Sequence, residues 1–203
     1  VVWQEDALRQ ALARAGQAPA PDDTRRQAAV AALVRRQPTG EGEVLLMQRA
    51  ERAGDPWSGH VSLPGGRREA GDVDLVMTAI RESREELALR LDADARLVGA
   101  LPTIPATARG RILPMSITPL VFVEQQAVAP ALSPEAVGHF WLPLDAAARG
   151  ELDGTLPYQH DTSLLHLPCW RFQGHVIWGL TYRVLRSLLE ETGRIGRPGS
   201  GAP

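Results

Sequence analysis

Lysine is absent from this chain: all 22 basic residues are arginine. With Ala, Gly and Pro abundant, that substitution looks like a coding bias rather than a functional signal. Cysteine is almost absent. Cys169 stands alone, which excludes an intrachain disulfide and fits a reducing, cytoplasmic setting. A lone cysteine is ordinarily a small buried apolar residue. No apolar run is long enough to span a bilayer and no secretory leader pattern is visible, so no membrane partner is expected. An excess of one charge is also lacking. A net charge of −2 gives no reason to expect nucleic-acid binding. No repeat of solenoid period occurs.

What is present is the composition of an ordinary globule. The 203 residues are 44% hydrophobic and 23% charged, a length and balance suited to one domain with a sizeable core.

The stretch from Leu63 to Leu89 carries the chemistry. Leu63-Pro64-Gly65-Gly66 leads into an acidic loop with Glu69, Asp72 and Asp74. A helix follows, marked by Val73, Val76, Met77, Ile80 and Leu87, with Asp72 or Asp74 as its N-cap. Near its C-terminal end, Glu82 and Glu86 are four residues apart and share a face, which Glu85 flanks. Three carboxylates thus converge where the helix dipole disfavours negative charge. A divalent cation would offset the repulsion, and Mg²⁺ accepts a few carboxylate oxygens, waters and substrate phosphates. The plain alternative is a solvated helix face with an Arg81–Glu85 pair, worth about 0.2–0.5 kcal/mol at most in that order. The Pro-Gly-Gly turn, the acidic loop and the Arg-Glu-x-x-Glu-Glu run together outweigh it.

That combination resembles the signature of the Nudix hydrolases: Gly, five residues, Glu, seven residues, Arg-Glu, an aliphatic, any residue, Glu-Glu, any residue, Gly, an aliphatic. Gly66, Arg81, Glu82, Glu85, Glu86 and Leu89 match it. Asp72 stands in place of the first Glu with eight residues before Arg81, Ser83 in place of the aliphatic, and Ala88 in place of the second Gly. The resemblance implies an α/β (α+β) fold, a mixed β-sheet sandwiched between helices. It implies Mg²⁺ (or Mn²⁺) held by Glu82, Glu85, Glu86 and the carbonyl of Gly66, bridging a diphosphate and positioning a water for attack at phosphorus. Arg81 would orient the glutamates or contact phosphate. The base that takes the water's proton stays open among the box glutamates, Glu69 and a residue of a later loop. The resemblance also allows a homodimer.

Within the family, Thr78-Ala79-Ile80-Arg81-Glu82, the acidic spacing of Glu69, Asp72 and Asp74, and Ile177-Trp178-Gly179-Leu180-Thr181 resemble the coenzyme A diphosphatase branch. Leu45-Leu46 and Arg49-Ala50 match its upstream signature, while Leu63 replaces the Phe before Pro-Gly-Gly. The implied reaction is hydrolysis of coenzyme A or an acyl-CoA to 3′,5′-ADP and phosphopantetheine. Such a small-molecule nucleotide needs cationic contacts, for which Arg52, Arg67, Arg68, Arg109 and Arg111 are available. Trp57 is either a plug beneath its loop or a wall for a nucleobase. The alternatives are ADP-ribose, a dinucleotide or a nucleoside triphosphate as substrate, and a non-catalytic nucleotide sensor of the same fold.

The remaining chain is expected to comprise a helix and linker over 1–24, a catalytic domain over 25–192 and a disordered tail over 193–203. Strands are expected at 27–36, 43–48, 61–63, 95–101, 111–124 and 135–142, with a short helix at 144–149. Residues 102–110 and 158–161 read as loops, 163–168 and 169–172 as paired strands. The last helix reads as opening at Ile177. Glu135 reads as a surface residue, or else a downstream carboxylate.

Overall fold

The computed structural model describes residues 3–15, 26–54, 57–108, 110–160 and 162–196. The expected linker, Arg109 and the end of the expected tail lie outside them. In chain order the elements are α1 (Glu5–Ala15), β1 (Arg26–Arg36), β2 (Gly42–Arg49), β3 (Val61–Ser62), β4 (Gly65–Arg67), α2 (Leu75–Leu87), α3 (Leu91–Asp94), β5 (Ala95–Ala100), β6 (Ile104–Ala108), β7 (Arg111–Glu124), β8 (Ala136–Pro143), α4 (Leu144–Ala148), β9 (Asp153–His160), β10 (Ser163–Phe172), β11 (His175–Trp178) and α5 (Gly179–Glu191).

The apolar run Ala28–Val34 is uninterrupted because β1 is buried on both faces, as a central strand must be. Ala29, Ala31 and Leu33 face one core with Leu45, Ala79 and Leu87; Ala32 and Val34 face another with Leu8, Leu12, Leu185 and Leu188. Period-two alternation therefore sends one face of the sheet to α2 and the other to α1 and α5. The expected mixed sheet between helices is what forms. β1 runs parallel to β7 and antiparallel to β2, with Val34 opposite Val44. β2 also pairs with β3 and β8, and β7 with β5 and β6. A second sheet of three antiparallel strands, β9 to β11, stands beside the first.

Several boundaries differ from the sequence expectation. Residues 104–108 are strand, not loop; Pro105 is tolerated because β6 is an edge strand, paired among the described residues only to β7 and with a bulge beside the proline. Tyr158–His160 end β9 rather than forming a loop, and β10 is one continuous strand. Ile177 and Trp178 belong to β11, so the last helix opens two residues later, at Gly179. Val73 and Met77, assigned to the apolar stripe of α2, are exposed. That helix begins at Leu75, where Asp74 caps it by accepting a hydrogen bond from the Met77 amide at 2.8 Å.

The N-terminal segment is tied into this core. Asp145, at the start of α4, is buried and accepts hydrogen bonds from the Trp3 indole and the Gly42 amide, each at 2.7 Å. Arg194 supplies its counter-charge. Gly42 is required there, since a Cβ would run into the Trp3 ring.

Candidate active site

Gly65 and Gly66 lie in β4, a short strand threaded between β1 and α2. Each explains its own lack of a side chain. Gly65 has φ +149°, and a Cβ on it would strike the carbonyl oxygen of Ala29. A Cβ on Gly66 would collide with the carboxylate of Glu82. The double glycine is therefore a floor that lets helix-borne carboxylates press against strand backbone.

Two glutamates use that floor. Glu86 is 2% exposed; its Oε2 accepts a hydrogen bond from the Gly65 amide at 2.9 Å, and its Oε1 lies 3.7 Å from Arg49. Burial pushes its pKa up to about 8, against the opposing pull of the Gly65 amide and Arg49, while Glu82 and Glu135 add to the rise. Glu82 is likewise raised by burial, offset by Arg81 and reinforced by Glu85 and Glu135. Glu85 is exposed, at the outer side of the cluster.

The expectation that all three carboxylates crowd together needs correction. Among the described residues, no three of the His, Cys, Asp and Glu side chains are arranged to hold a metal ion. The physical reason is Arg81. Its Nη1 donates to Glu82 and to Glu85, both at 3.0 Å, and so stands between them. The rest of the guanidinium grips Asp72 through two 3.0 Å bonds and the Arg67 carbonyl at 2.9 Å. Asp72 is buried, and the Arg81 hydrogen bonds hold its pKa down, from 3.8 to about 2, against the cost of that burial. Asp72 also accepts from the Glu69 amide and the Thr78 hydroxyl. It thereby locks the acidic loop onto α2 and aims Arg81 at the glutamates.

The other departures from the signature also have structural consequences. Ala88 occupies the left-handed region at φ 54°, ψ 26°, where glycine is favoured, and its amide caps the Arg84 carbonyl at 2.9 Å. Ser83 is fully buried, and its hydroxyl has no hydrogen-bond partner in place of the aliphatic contact.

A cleft of about 1010 Å³ opens over the floor. Gly65, Gly66, Arg49, Arg52 and Arg67 line one region of it. Leu113, Met115, Ile117, Leu165, Leu167 and Leu180 give the remainder an apolar character. The glutamates do not themselves line it; they reach it through the two glycines and Arg49. Trp57 lines it too, donating to the Thr107 carbonyl at 3.2 Å while packing against the small cluster of Ala28, Ala106, Met115 and Ile117 as the expected plug. Of the expected arginines, Arg52 and Arg67 face the cleft. Arg68 instead clamps the acidic loop through the Asp72 and Val73 carbonyls and Gln27. Sequence reasoning did not single out Arg49, Tyr158 or Trp178 as cleft residues. Arg49 had a signal, being the last residue of the strand that enters the Trp57 loop; Tyr158 and Trp178 come from a sheet whose placement over the cleft is non-local.

The NUDIX domain family matches residues 25–167. The chain belongs to the Nudix family. It is 30% identical over 172 residues to an uncharacterised Nudix hydrolase, NudL, of Citrobacter koseri, covering 83% of this chain and 84% of that one. The NudL of an Enterobacter species is also 30% identical, over 174 residues, with the same coverage. In structure it is similar to the M. smegmatis Nudix hydrolase RenU, with a TM-score of 0.55, 16% identity, and coverage of 86% and 90% of the two chains. The chain is thus a Nudix-fold hydrolase acting on pyrophosphate linkages of nucleotide substrates. No helix among the described residues is long and apolar enough to cross a membrane.

Nudix enzymes generally use a divalent metal; no three carboxylates among the described residues stand together for one, but the surroundings of two box glutamates suit an added cation. Glu82 sits in a cradle that a side chain on Gly66 would fill. Glu86 is a buried carboxylate whose pKa is raised because the Gly65 amide and Arg49 only partly offset its burial, an environment in which an added cation is stabilising.

Proposed function

We propose that this Nudix hydrolase cleaves the diphosphate of coenzyme A or an acyl-CoA, releasing 3′,5′-ADP and phosphopantetheine or its acyl form. The observation that carries the reading is the cleft. At about 1010 Å³ it lies at the upper end of ligand-site volumes and is largely apolar away from its arginines. A nucleoside triphosphate would leave the wall of Leu113, Met115, Leu165 and Leu167 unfilled. A pantetheine arm, with or without an acyl chain, would cover it.

Glu82, Glu86 and the Gly66 carbonyl would hold Mg²⁺ or Mn²⁺, with Glu85 on the solvent side. When bound, the cation neutralises the diphosphate and lowers the pKa of an attacking water. Asp72 fixes Arg81, and Arg81 fixes Glu82 and Glu85. Arg49, Arg52 and Arg67, which line the cleft beside the two glycines, would meet phosphate oxygens. Trp57 and Trp178 offer flat surfaces for a base. The water adds to phosphorus, the bond to the bridging oxygen breaks, and two phosphomonoesters leave.

The test is a panel of coenzyme A, a medium-chain acyl-CoA, ADP-ribose, NADH and nucleoside triphosphates with Mg²⁺, products separated by chromatography. Formation of 3′,5′-ADP at the highest kcat/KM supports the reading. Preference for ADP-ribose, NADH or a triphosphate replaces the substrate, and tight binding with no turnover of any compound replaces the enzyme with a sensor.

A further inference from the structure

Two different walls lead away from the glycine floor, and strand register shows where each begins. On one side Arg67 is opposite Ala28 of β1, and Ala28 is opposite Ile117 of β7. Every second residue from Ile117 back to Leu113 lines the cleft, and this arm is apolar with no polar tip. On the other side the Arg49 amide donates to the His60 carbonyl at 3.0 Å, which sets His60 beside the floor. The His60 ring meets the Trp178 ring edge to face at 4.9 Å, and the Trp178 ring meets Tyr158 at 5.5 Å. All three of these residues line the cleft.

The second sheet builds this aromatic arm. Trp178 is opposite Cys169 and Tyr158 is opposite Leu165, and residues 165, 167 and 169 of β10 share one face. Trp178 and Tyr158 therefore stand on the face that Leu165 and Leu167 turn to the cleft. Aromatic residues make up only 5% of the chain, yet two of the five tryptophans and one of the two tyrosines line this cleft. Their concentration there marks the wall as more than a share of ordinary core. Trp57, the other cleft tryptophan, belongs to the opposite wall, where the Thr107 carbonyl and the cluster around Met115 hold it.

The two arms differ in what they accept. Indole, imidazole and phenol each join a flat apolar face to a polar tip, and a heteroaromatic ring matches both parts. An alkyl chain laid there would cover the polar tips without bonding them, at a cost that the β7 arm does not impose. We propose that His60, Trp178 and Tyr158 form the nucleobase subsite, with the base stacked on Trp178, and that the ligand accordingly lies in one direction: nucleoside toward the second sheet, the other half of the diphosphate ester past Arg67 along β7. The identity of that other half, a pantetheine arm, rests on the functional reading above. The base assignment applies to any adenine nucleotide.

The experiment measures binding of ADP, inorganic pyrophosphate and phosphopantetheine by calorimetry in EDTA, where neither metal nor turnover contributes. The variants are Trp178→Leu and Tyr158→Leu, which keep apolar bulk and lose the flat ring, Trp178→Phe, which keeps a ring, and Leu113→Ser on the other arm. Trp178→Leu should weaken ADP binding by about tenfold, as loss of one base–aromatic stack does, and leave pyrophosphate binding unchanged. Tyr158→Leu should weaken ADP several-fold, and Trp178→Phe should retain most of the wild-type affinity. Leu113→Ser should weaken phosphopantetheine and leave ADP unchanged. With the preferred substrate and Mg²⁺, Trp178→Leu should raise KM more than it lowers kcat. Thermal melts establish that each variant folds; should Trp178→Leu not fold, Tyr158→Leu and Trp178→Phe carry the test. Equal loss of ADP and pyrophosphate overturns the proposal, because the rings then only fasten the second sheet over the floor. Absent or unaltered ADP binding also overturns it, as does a phosphopantetheine loss in Trp178→Leu without an ADP loss. If the substrate panel rejects coenzyme A while ADP behaves as expected, the substrate assignment falls and the base subsite stands. If coenzyme A is cleaved while Trp178→Leu weakens ADP and pyrophosphate alike, the subsite falls and the substrate assignment stands.

Discussion

Replacing Asp72 by Asn keeps the shape of the side chain and removes its charge. In the wild type, the carboxylate is buried and receives two bonds from Arg81, one from the Thr78 hydroxyl and one from the Glu69 amide. Its pKa falls from 3.8 to about 2 on folding, chiefly through the Arg81 hydrogen bonds. At 1.36 kcal/mol per pH unit, that difference corresponds to about 2 kcal/mol of stability at neutral pH. A depressed acid stabilises the fold only while ionised. The contribution is therefore complete above about pH 5, falls to about half near pH 3, and vanishes below the folded-state value. Urea denaturation of wild type and Asp72→Asn at pH 7 and pH 3 tests this. The expected loss is about 2 kcal/mol at pH 7, with a gap about half as large at pH 3. Arg81, left without its anchor, is also expected to release Glu82 and Glu85, lowering kcat more than KM. A loss below about 0.5 kcal/mol at pH 7, or a gap that does not narrow with acid, would refute the anchoring role.

Other consequences follow from the same geometry. Ala88→Gly removes the left-handed strain at the end of α2 and should stabilise the protein by about 1 kcal/mol, raising Tm by about 2–4 °C in a scanning melt. Gly66→Ala puts a Cβ into the Glu82 carboxylate; kcat should fall at least about tenfold while the circular dichroism spectrum stays native. Trp3→Phe removes a hydrogen bond to the buried Asp145 carboxylate and should cost about 1.5–3 kcal/mol in urea denaturation.

Much of this was readable from local pattern. The double glycine and the buried run Ala28–Val34 follow from short-range spacing, and the structure has them where spacing requires; the box glutamates share a helix but do not converge, because Arg81 stands between two of them. Asp72 was legible only as a departure from a signature. Its role depends on a salt bridge across nine residues of chain, and its burial separates it from Asp74, which took the cap. The Arg81–Glu85 pair was legible from i,i+4 spacing, but not that the same guanidinium also bonds Glu82 and Asp72 and so keeps the glutamates apart. The strand character of β6 was hidden by Pro105 within it and Pro102 before it. The far wall of the cleft was hidden because Tyr158, Leu165 and Trp178 join lining residues distant in sequence, such as Ala28 and Trp57, only through tertiary packing of the second sheet. Glu135 reaches the site the same way, through backbone bonds to Ala50 and from Ser133 to Glu86.

The central claim is that Glu86, buried against the Gly65 amide, binds the cation on which turnover depends. Glu86→Gln tests it most directly, because glutamine keeps the acceptor for the Gly65 N–H and lacks only the charge. Turnover of the preferred substrate is measured with saturating Mg²⁺, alongside Mn²⁺ binding by calorimetry and a thermal melt. The expected result is a native melt, weakened Mn²⁺ binding and turnover reduced by two orders of magnitude or more. Near-normal turnover with unchanged Mn²⁺ affinity would contradict it.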